Sequence, residues 1–279
     1  MTAVGQTRVA TYNLLHGVSL RDGSTDPAAL AAAAATIDAD VLGLQEVDRD
    51  QPRSGVVDQT AVVAAALGAE HWRFEPTVLG TPGVIGWRGA GDGDAAVGGV
   101  SYGVGLVSRL PVTRWAVLRF AAAPLALPLL VPGRPRPRLM RVPDEPRLAL
   151  AAVLDHPAGP LTVITAHLSF VPGFNVAQLR QIARWSTQFP GPVLLIGDFN
   201  LPSALPARIT RFSALARAAT YPSYRPAVQF DHLLARGLAS GAVTAEHVWP
   251  LPVSDHAAVG VDVDLADREP ADAPPGPTA

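Results

Sequence analysis

Short apolar blocks broken by turn residues recur along the whole chain, the mark of strands joined by loops. Residues 8–13 read as a first strand ending at Asn13. Asp26 and Pro27 then open a helix, an N-cap aspartate with proline in the first turn, and an alanine-rich run carries it to Ile37. Residues 40–45 form a buried strand around Val41-Leu42-Gly43-Leu44, with Glu46 just past its end. A second helix is expected over 57–67, closed by Gly68. The glycine-rich stretch 80–105 reads as loop, followed by strands at 103–108 and 112–120. Residues 121–146 are rich in proline, too broken for a helix or a central strand.

Strands resume at 147–154 and 161–167, and a helix follows over 175–188, with Val176, Leu179, Ile182, Ala183 and Trp185 at helical spacing. Residues 193–196 form a short apolar strand that delivers Asp198, and the last strands are expected at 230–234, 243–249 and 257–263. Most strands come in neighbouring pairs with few helices between them, which predicts two sheets with helices outside rather than an alternating barrel. The expected division is a short N-terminal extension (1–7), one domain (8–265) interrupted by the Pro/Arg-rich insertion (121–146), and a disordered, acidic, proline-rich tail (266–279).

Composition narrows the chemistry. The chain has 279 residues, 48% of them apolar and 16% charged, enough to bury a sizeable core. It contains no cysteine, which excludes disulfides, thiolate metal sites and a cysteine nucleophile. All 22 basic residues are arginine, so a catalytic lysine is excluded too. A formal charge of −2 offers no general pull toward nucleic acid. No stretch approaches the run of about 18 apolar residues expected of a membrane span. The first residues lack a signal-peptide layout, so a cytoplasmic monomer is the expectation.

Several polar residues share one placement, the C-terminal end of an apolar strand or just after it: Asn13, Glu46, His167, Asp198 with Asn200, Asp231, and Asp255 with His256. Singly, each has an ordinary reading as a turn residue, a cap, an ion-pair partner or a satisfied core histidine. Together, carboxylates, amides and two histidines without cysteine suit a hard cation held by oxygen, magnesium before zinc. Such a set also supplies what phosphoester hydrolysis needs: a metal to neutralise charge, a carboxylate to activate water, and imidazoles to stabilise or protonate oxygens.

Thr11-Tyr12-Asn13, Leu44-Gln45-Glu46-Val47, Thr165-Ala166-His167-Leu168, Gly197-Asp198-Phe199-Asn200, Phe230-Asp231-His232 and Ser254-Asp255-His256 stand in this order. In these segments the chain resembles the endonuclease/exonuclease/phosphatase superfamily, the DNase I-like fold, over residues 8–264. Residues 105–111 also look like its central strand. The resemblance implies an α/β (α+β) four-layer sandwich, two mostly antiparallel mixed β-sheets packed face to face and flanked by helices. It implies a Mg²⁺-dependent phosphoesterase, with Mn²⁺ as a substitute. Glu46 would be the principal metal ligand, with Asn13 and Asp255 close by. Asp198 would orient or deprotonate the attacking water, and Asn200 would donate to a phosphate oxygen. His256, held in its tautomer by Asp231, would stabilise the pentacovalent phosphorus. His167 would act on a phosphate oxygen or the leaving group, as in the DNase I, sphingomyelinase and inositol-phosphatase branches. Glu75 is a candidate to orient His167, against a plain surface glutamate. His16 is as well explained by its loop as by substrate contact, and His232 should face away from Asp231.

The substrate is less legible. Leu125, Leu127, Leu129, Leu130 and Val131 precede Arg134, Arg136, Arg138 and Arg141. That suits either a lid on a lipid phosphoester or a solvated surface insertion. Scattered tryptophans show no base-stacking platform. A small-molecule or lipid phosphoester is therefore expected as substrate, with a nuclease of the same fold as the alternative and a non-catalytic binding module behind both.

Overall fold

Local capping sets the first helices. Asp26 accepts from Ala28 N at 2.9 Å ahead of α1 (Pro27–Ile37). Asp58 accepts from Thr60 N and Ala61 N ahead of α2 (Gln59–Leu67), so this helix starts two residues later than position 57 suggested. Gly68 closes α2 at φ +63°, a conformation that suits glycine. Three further helices are α3 (Asp94–Val97), α4 (Phe174–Trp185, followed by a 3-10 turn at Ser186–Gln188) and α5 (Leu205–Thr210). The computed structural model describes residues 6–131 and 138–266.

The strands are β1 (Gln6–Asn13), β2 (Val41–Arg49), β3 (His71–Leu79), β4 (Arg88–Gly89), β5 (Ser101–Ser108), β6 (Val112–Phe120), β7 (Ala126–Val131), β8 (Arg138–Pro143), β9 (Arg147–Leu154), β10 (Leu161–His167), β11 (Val193–Asp198), β12 (Ser213–Ala214), β13 (Asp231–Arg236), β14 (Val243–Trp249) and β15 (Ala258–Asp264). They build a seven-stranded sheet, ordered β14-β15-β1-β2-β5-β3-β4, and a six-stranded sheet, ordered β12-β13-β11-β10-β9-β6. Only β1/β2 and β10/β11 pair in parallel; the other pairs are antiparallel.

Alternating side chains assign each strand face to a layer. Val9, Val41, Val163, Leu194 and Ile196 point into the core between the sheets. Ala10, Tyr12, Leu42 and Leu44 face α1 and α2 through Leu30, Ile37, Val63 and Leu67. Ile164, Ala166, Val193 and Leu195 face α4 through Leu179 and Ile182. The result is the expected order of helices, sheet, sheet, helices. A Cβ on Gly43 would sit 2.6 Å from Thr165 Oγ1, so glycine permits the close approach of the sheets there. Gln45, fully buried, crosses the gap and donates to Thr165 Oγ1 at 2.9 Å.

Two expectations are corrected, and a third is filled in. The stretch 71–79 had no predicted strand, yet it forms β3, paired with β5 through a register shift next to Pro76. The glycine-rich stretch 80–105 also holds β4, α3 and the start of β5. The insertion carries a two-stranded ribbon, β7 with β8, joined to neither main sheet. Arg134 and Arg136, the first residues of the extension (1–5) and the tail from 267 on lie outside the described residues, as does the side chain of Arg138. Among the described residues no helix is long and apolar enough to cross a membrane.

Candidate active site

Sheet register brings the predicted residues to one edge of the sandwich. The parallel pairs end together there: Asn13 is paired with Gln45, one residue before Glu46, and His167 is paired with Asp198. Antiparallel strands begin at the same edge, so Asp231 opens β13 opposite Asp198, and Asp255 and His256 lie just before β15. Asp231 therefore begins its strand, and Asp255 and His256 precede theirs, instead of ending them, because those strands run the other way. All eight expected positions, with Asn200 two residues beyond β11, lie at this edge.

The backbone is strained where it presents these groups. Glu46 has φ +55°, Asn200 +49° and Ser254 +72°, conformations uncommon for residues other than glycine. Glu46 sits in a bulge of β2 between Leu44 and Val47, which turns its carboxylate out of the ladder. Ser254 is pinned by donating to Asn13 O at 2.6 Å while it accepts from His256 N at 3.1 Å.

Asp198 is buried at the centre. Its Oδ1 accepts from Asn200 N at 2.9 Å, and its Oδ2 accepts from Asn13 Nδ2 at 3.0 Å. Burial pushes this carboxyl well above the usual carboxylate range, against the pull of His256. His256 Nδ1 lies 2.8 Å from Asp231 Oδ2, which also accepts from Thr220 Oγ1 at 2.5 Å. Burial alone would lower His256, but the charge and hydrogen bond of Asp231, with the charges of Asp198 and Asp255, together raise this imidazole. Its Nε2 faces Asp198 Oδ2 at 3.8 Å.

Asn13 presents its amide N–H groups, not its oxygen. Nδ2 bridges Glu46 Oε1 at 3.1 Å and Asp198 Oδ2 at 3.0 Å, while Oδ1 accepts from Leu15 N. Its donor side is thus the one turned to the carboxylates. Glu75 is not placed to orient His167: its two oxygens are taken by Arg119 and Arg73, and His167 Nδ1 meets Arg147 Nη1 at 3.0 Å instead. His167 Nε2 lies 3.7 Å from Asp198 Oδ2 and 3.4 Å from Asn200 Nδ2. Burial, Arg147 and His256 together hold His167 well below the usual imidazole value. His232 points to the opposite face, as expected, bonding Leu201 O at 2.8 Å and stacking on Phe199. His16 is held in its loop, where its carbonyl accepts from Gln59 Nε2.

The donor set fits a hard divalent cation. Glu46 and Asp255 are half-buried, and neither forms an ion pair among the described residues. Burial raises the Asp255 carboxyl to about 6, and the Glu46 charge adds to the rise while His256 opposes it. Two neighbouring carboxylates without an arginine partner are what a cation bound by oxygen would neutralise. A second group, Asp198, Asp231 and His256, is close enough to chelate, with ligand atoms within 4.8 Å of one another. There the hydrogen bond to Asp231 engages His256 Nδ1, while Nε2 faces Asp198. Arg147, Thr220 and Gln45 escaped the sequence reading. The only signal was a polar residue inside or beside an apolar run, which has many ordinary explanations.

A family model described as the Endonuclease/Exonuclease/phosphatase family matches residues 10–256. No curated protein matches the chain in sequence. Among solved structures, the endonuclease/exonuclease/phosphatase of Beutenbergia cavernae DSM 12333 is similar, at 24% identity and a TM-score of 0.62, over 93% of this chain and 72% of that one. The mannosyl-6-phosphatase of Bacteroides thetaiotaomicron VPI-5482 has 14% identity and a TM-score of 0.57, over 91% and 98% of the two chains. Sphingomyelinase C from Streptomyces griseocarneus has 16% identity and a TM-score of 0.53, over 92% and 99%. At these identities the likeness is one of fold.

Proposed function

This chain belongs to the endonuclease/exonuclease/phosphatase family, and from that premise we propose that it is a divalent-metal-dependent hydrolase of a small or lipid phosphoester. The observation that carries the reading is the convergence of Glu46, Asp255, Asp198, His256 and His167 on one strained, half-buried strand edge. Family membership alone supports phosphoester hydrolysis; the residue roles and the substrate class are our inference.

Glu46 and Asp255 would hold the cation, whose contribution when bound is to neutralise phosphate charge as a Lewis acid. Asp198 takes a proton from the attacking water. Its carboxyl, lifted by burial, is a better base near neutrality than an exposed one. As water adds to phosphorus, the bond to the leaving oxygen breaks, and charge accumulates on the phosphoryl oxygens. His256, kept cationic by Asp231, offers Nε2–H to that charge. Asn13 ties Glu46 to Asp198 and so spaces the metal-holding side from the water-activating side. His167 and Asn200 stand beside Asp198 and would donate to a phosphoryl oxygen.

A net charge of −2 with no lysine supports a substrate other than nucleic acid. So do the names of two neighbours of the same fold, a mannosyl-6-phosphatase and a sphingomyelinase C. Hydrolysis of bis-p-nitrophenyl phosphate with Mg²⁺ or Mn²⁺ is the test. Turnover should vanish with EDTA and return with metal. Asp198→Asn should cost about 10²–10⁴-fold in kcat while leaving the unfolding transition in place. No cleavage with either metal, or an unchanged Asp198→Asn enzyme, would overturn the reading. Sphingomyelin, sugar phosphates and inositol phosphates should then outperform duplex DNA.

A further inference from the structure

Arg147, the first residue of β9, is buried, with 5% of its side chain exposed. Its Nη1 reaches His167 Nδ1 at 3.0 Å. A guanidinium has only donors and stays charged in proteins. The ring nitrogen it touches must therefore accept, and in a neutral imidazole the proton then sits on Nε2. An imidazolium would instead set N–H against N–H beside a second positive charge.

No surrounding group reverses this. From β11, Asp198 approaches Nε2 only at 3.7 Å. His256, before β15, adds a positive charge. Behind the guanidinium, Asp144 is engaged by Ala123 N and Ser169 Oγ and stands 3.6 Å from Arg147 Nη2. Glu145 faces Arg147, and the carboxylate of Glu75 is bound to Arg73 and Arg119. Beside His167, Asn200 spends one amide hydrogen on Leu168 O at 3.0 Å. Its other hydrogen and the His167 Nε2–H are then two donors on nitrogens 3.4 Å apart, neither able to accept from the other. A shared anionic oxygen satisfies both.

We propose that Arg147 is a positioning residue that fixes His167 as a neutral imidazole with Nε2–H, so that His167 and Asn200 together donate to one phosphoryl oxygen and His167 does not protonate the leaving group. The assignment of that oxygen rests on the phosphoesterase reading; the state of the ring does not.

Nitrogen-15 NMR of the histidine rings, with His167 assigned through His167→Gln, tests it on the full chain. In the wild type, the His167 ring should show the Nε2–H tautomer and no titration between about pH 5 and 8. In Arg147→Met it should mix tautomers, and its titration should move up toward the ordinary imidazole range while staying below it, because burial and His256 remain. Arg147→Lys, which keeps a donor, should restore the wild-type tautomer. With bis-p-nitrophenyl phosphate, Arg147→Met should lose about 10–100-fold in kcat. Its activity should gain a pH dependence near the new titration, which a merely structural loss would not produce. Inorganic phosphate should shift the His167 Nε2 resonance in the wild type and not in Arg147→Met. A wild-type ring carrying its proton on Nδ1, or titrating near 6.5, overturns the proposal even if Arg147→Met fails to fold. The stated tautomer in a protein without turnover would sink the phosphoesterase reading and leave Arg147's hold on His167 standing.

Discussion

A Cβ on Gly197 would lie 2.0 Å from the Ala166 carbonyl oxygen, and its φ is +136°, so glycine is required on both counts. Its neighbour is Asp198, and any backbone shift that relieves the clash moves the proposed base. Gly197→Ala should therefore lower stability by more than about 1 kcal/mol and reduce turnover as well. Urea unfolding and bis-p-nitrophenyl phosphate kinetics on the same sample check both; a variant as stable and active as wild type would show that the strand relaxes at no cost. The Gly197-Asp198-Phe199-Asn200 and Ser254-Asp255-His256 segments were legible because short motifs bring their own backbone geometry. The orientation of the Asn13 amide and the partners of Glu75 were not legible, for the opposite reason. Which way an amide turns, or which cation a carboxylate meets, is set by residues far along the chain: Glu46 and Asp198 for one, Arg119 for the other.

At the scale of elements, apolar alternation located the central strands well, and β6, β9, β10 and β14 have the bounds their patterns suggested. The strand β3 was hidden because His71, Arg73, Glu75 and Pro76 interrupt its apolar run; pairing with β5 supplies the order that its own side chains do not advertise. The β7–β8 ribbon was likewise invisible, since two short strands hold each other only through tertiary spacing. It pairs with neither main sheet and is tied down at its base by Asp144, which accepts from Ala123 N and Ser169 Oγ. Replacing residues 127–142 with Asn-Gly, a favoured two-residue hairpin turn, should keep the thermal unfolding midpoint near that of the wild type. A large drop would mean that the ribbon packs on the core.

Across the whole molecule, buried titratable groups pull stability in opposite directions as pH falls. Burial raises Asp198 and Asp255, so their protonation favours the folded state. Burial lowers His16, His167 and His232, whose protonation favours the unfolded chain. His16 isolates one side of this balance: burial, with Arg53 adding to it, drops the ring from 6.5 to about 4. Between those values the unfolded chain binds a proton that the folded one does not, so the wild type should lose stability relative to His16→Gln as pH falls from 6.5 to 4. Urea midpoints of the pair across that window measure it, and a gap that does not change with pH would mean that His16 titrates normally. Taken alone, the order of residues determined the central strands, the main helices and the exclusion of thiol and lysine chemistry, and it picked out the polar side chains at the strand ends. Those properties follow from local periodicity and residue type. Tertiary structure decided the partners of those side chains: that Asn13 donates to two carboxylates, that His167 meets an arginine and not a glutamate, and that the Glu46 charge reaches Asp255. The reason is physical, because the charge, tautomer and hydrogen-bond direction of a buried polar group are set by its neighbours in space, and sheet register alone chooses those neighbours.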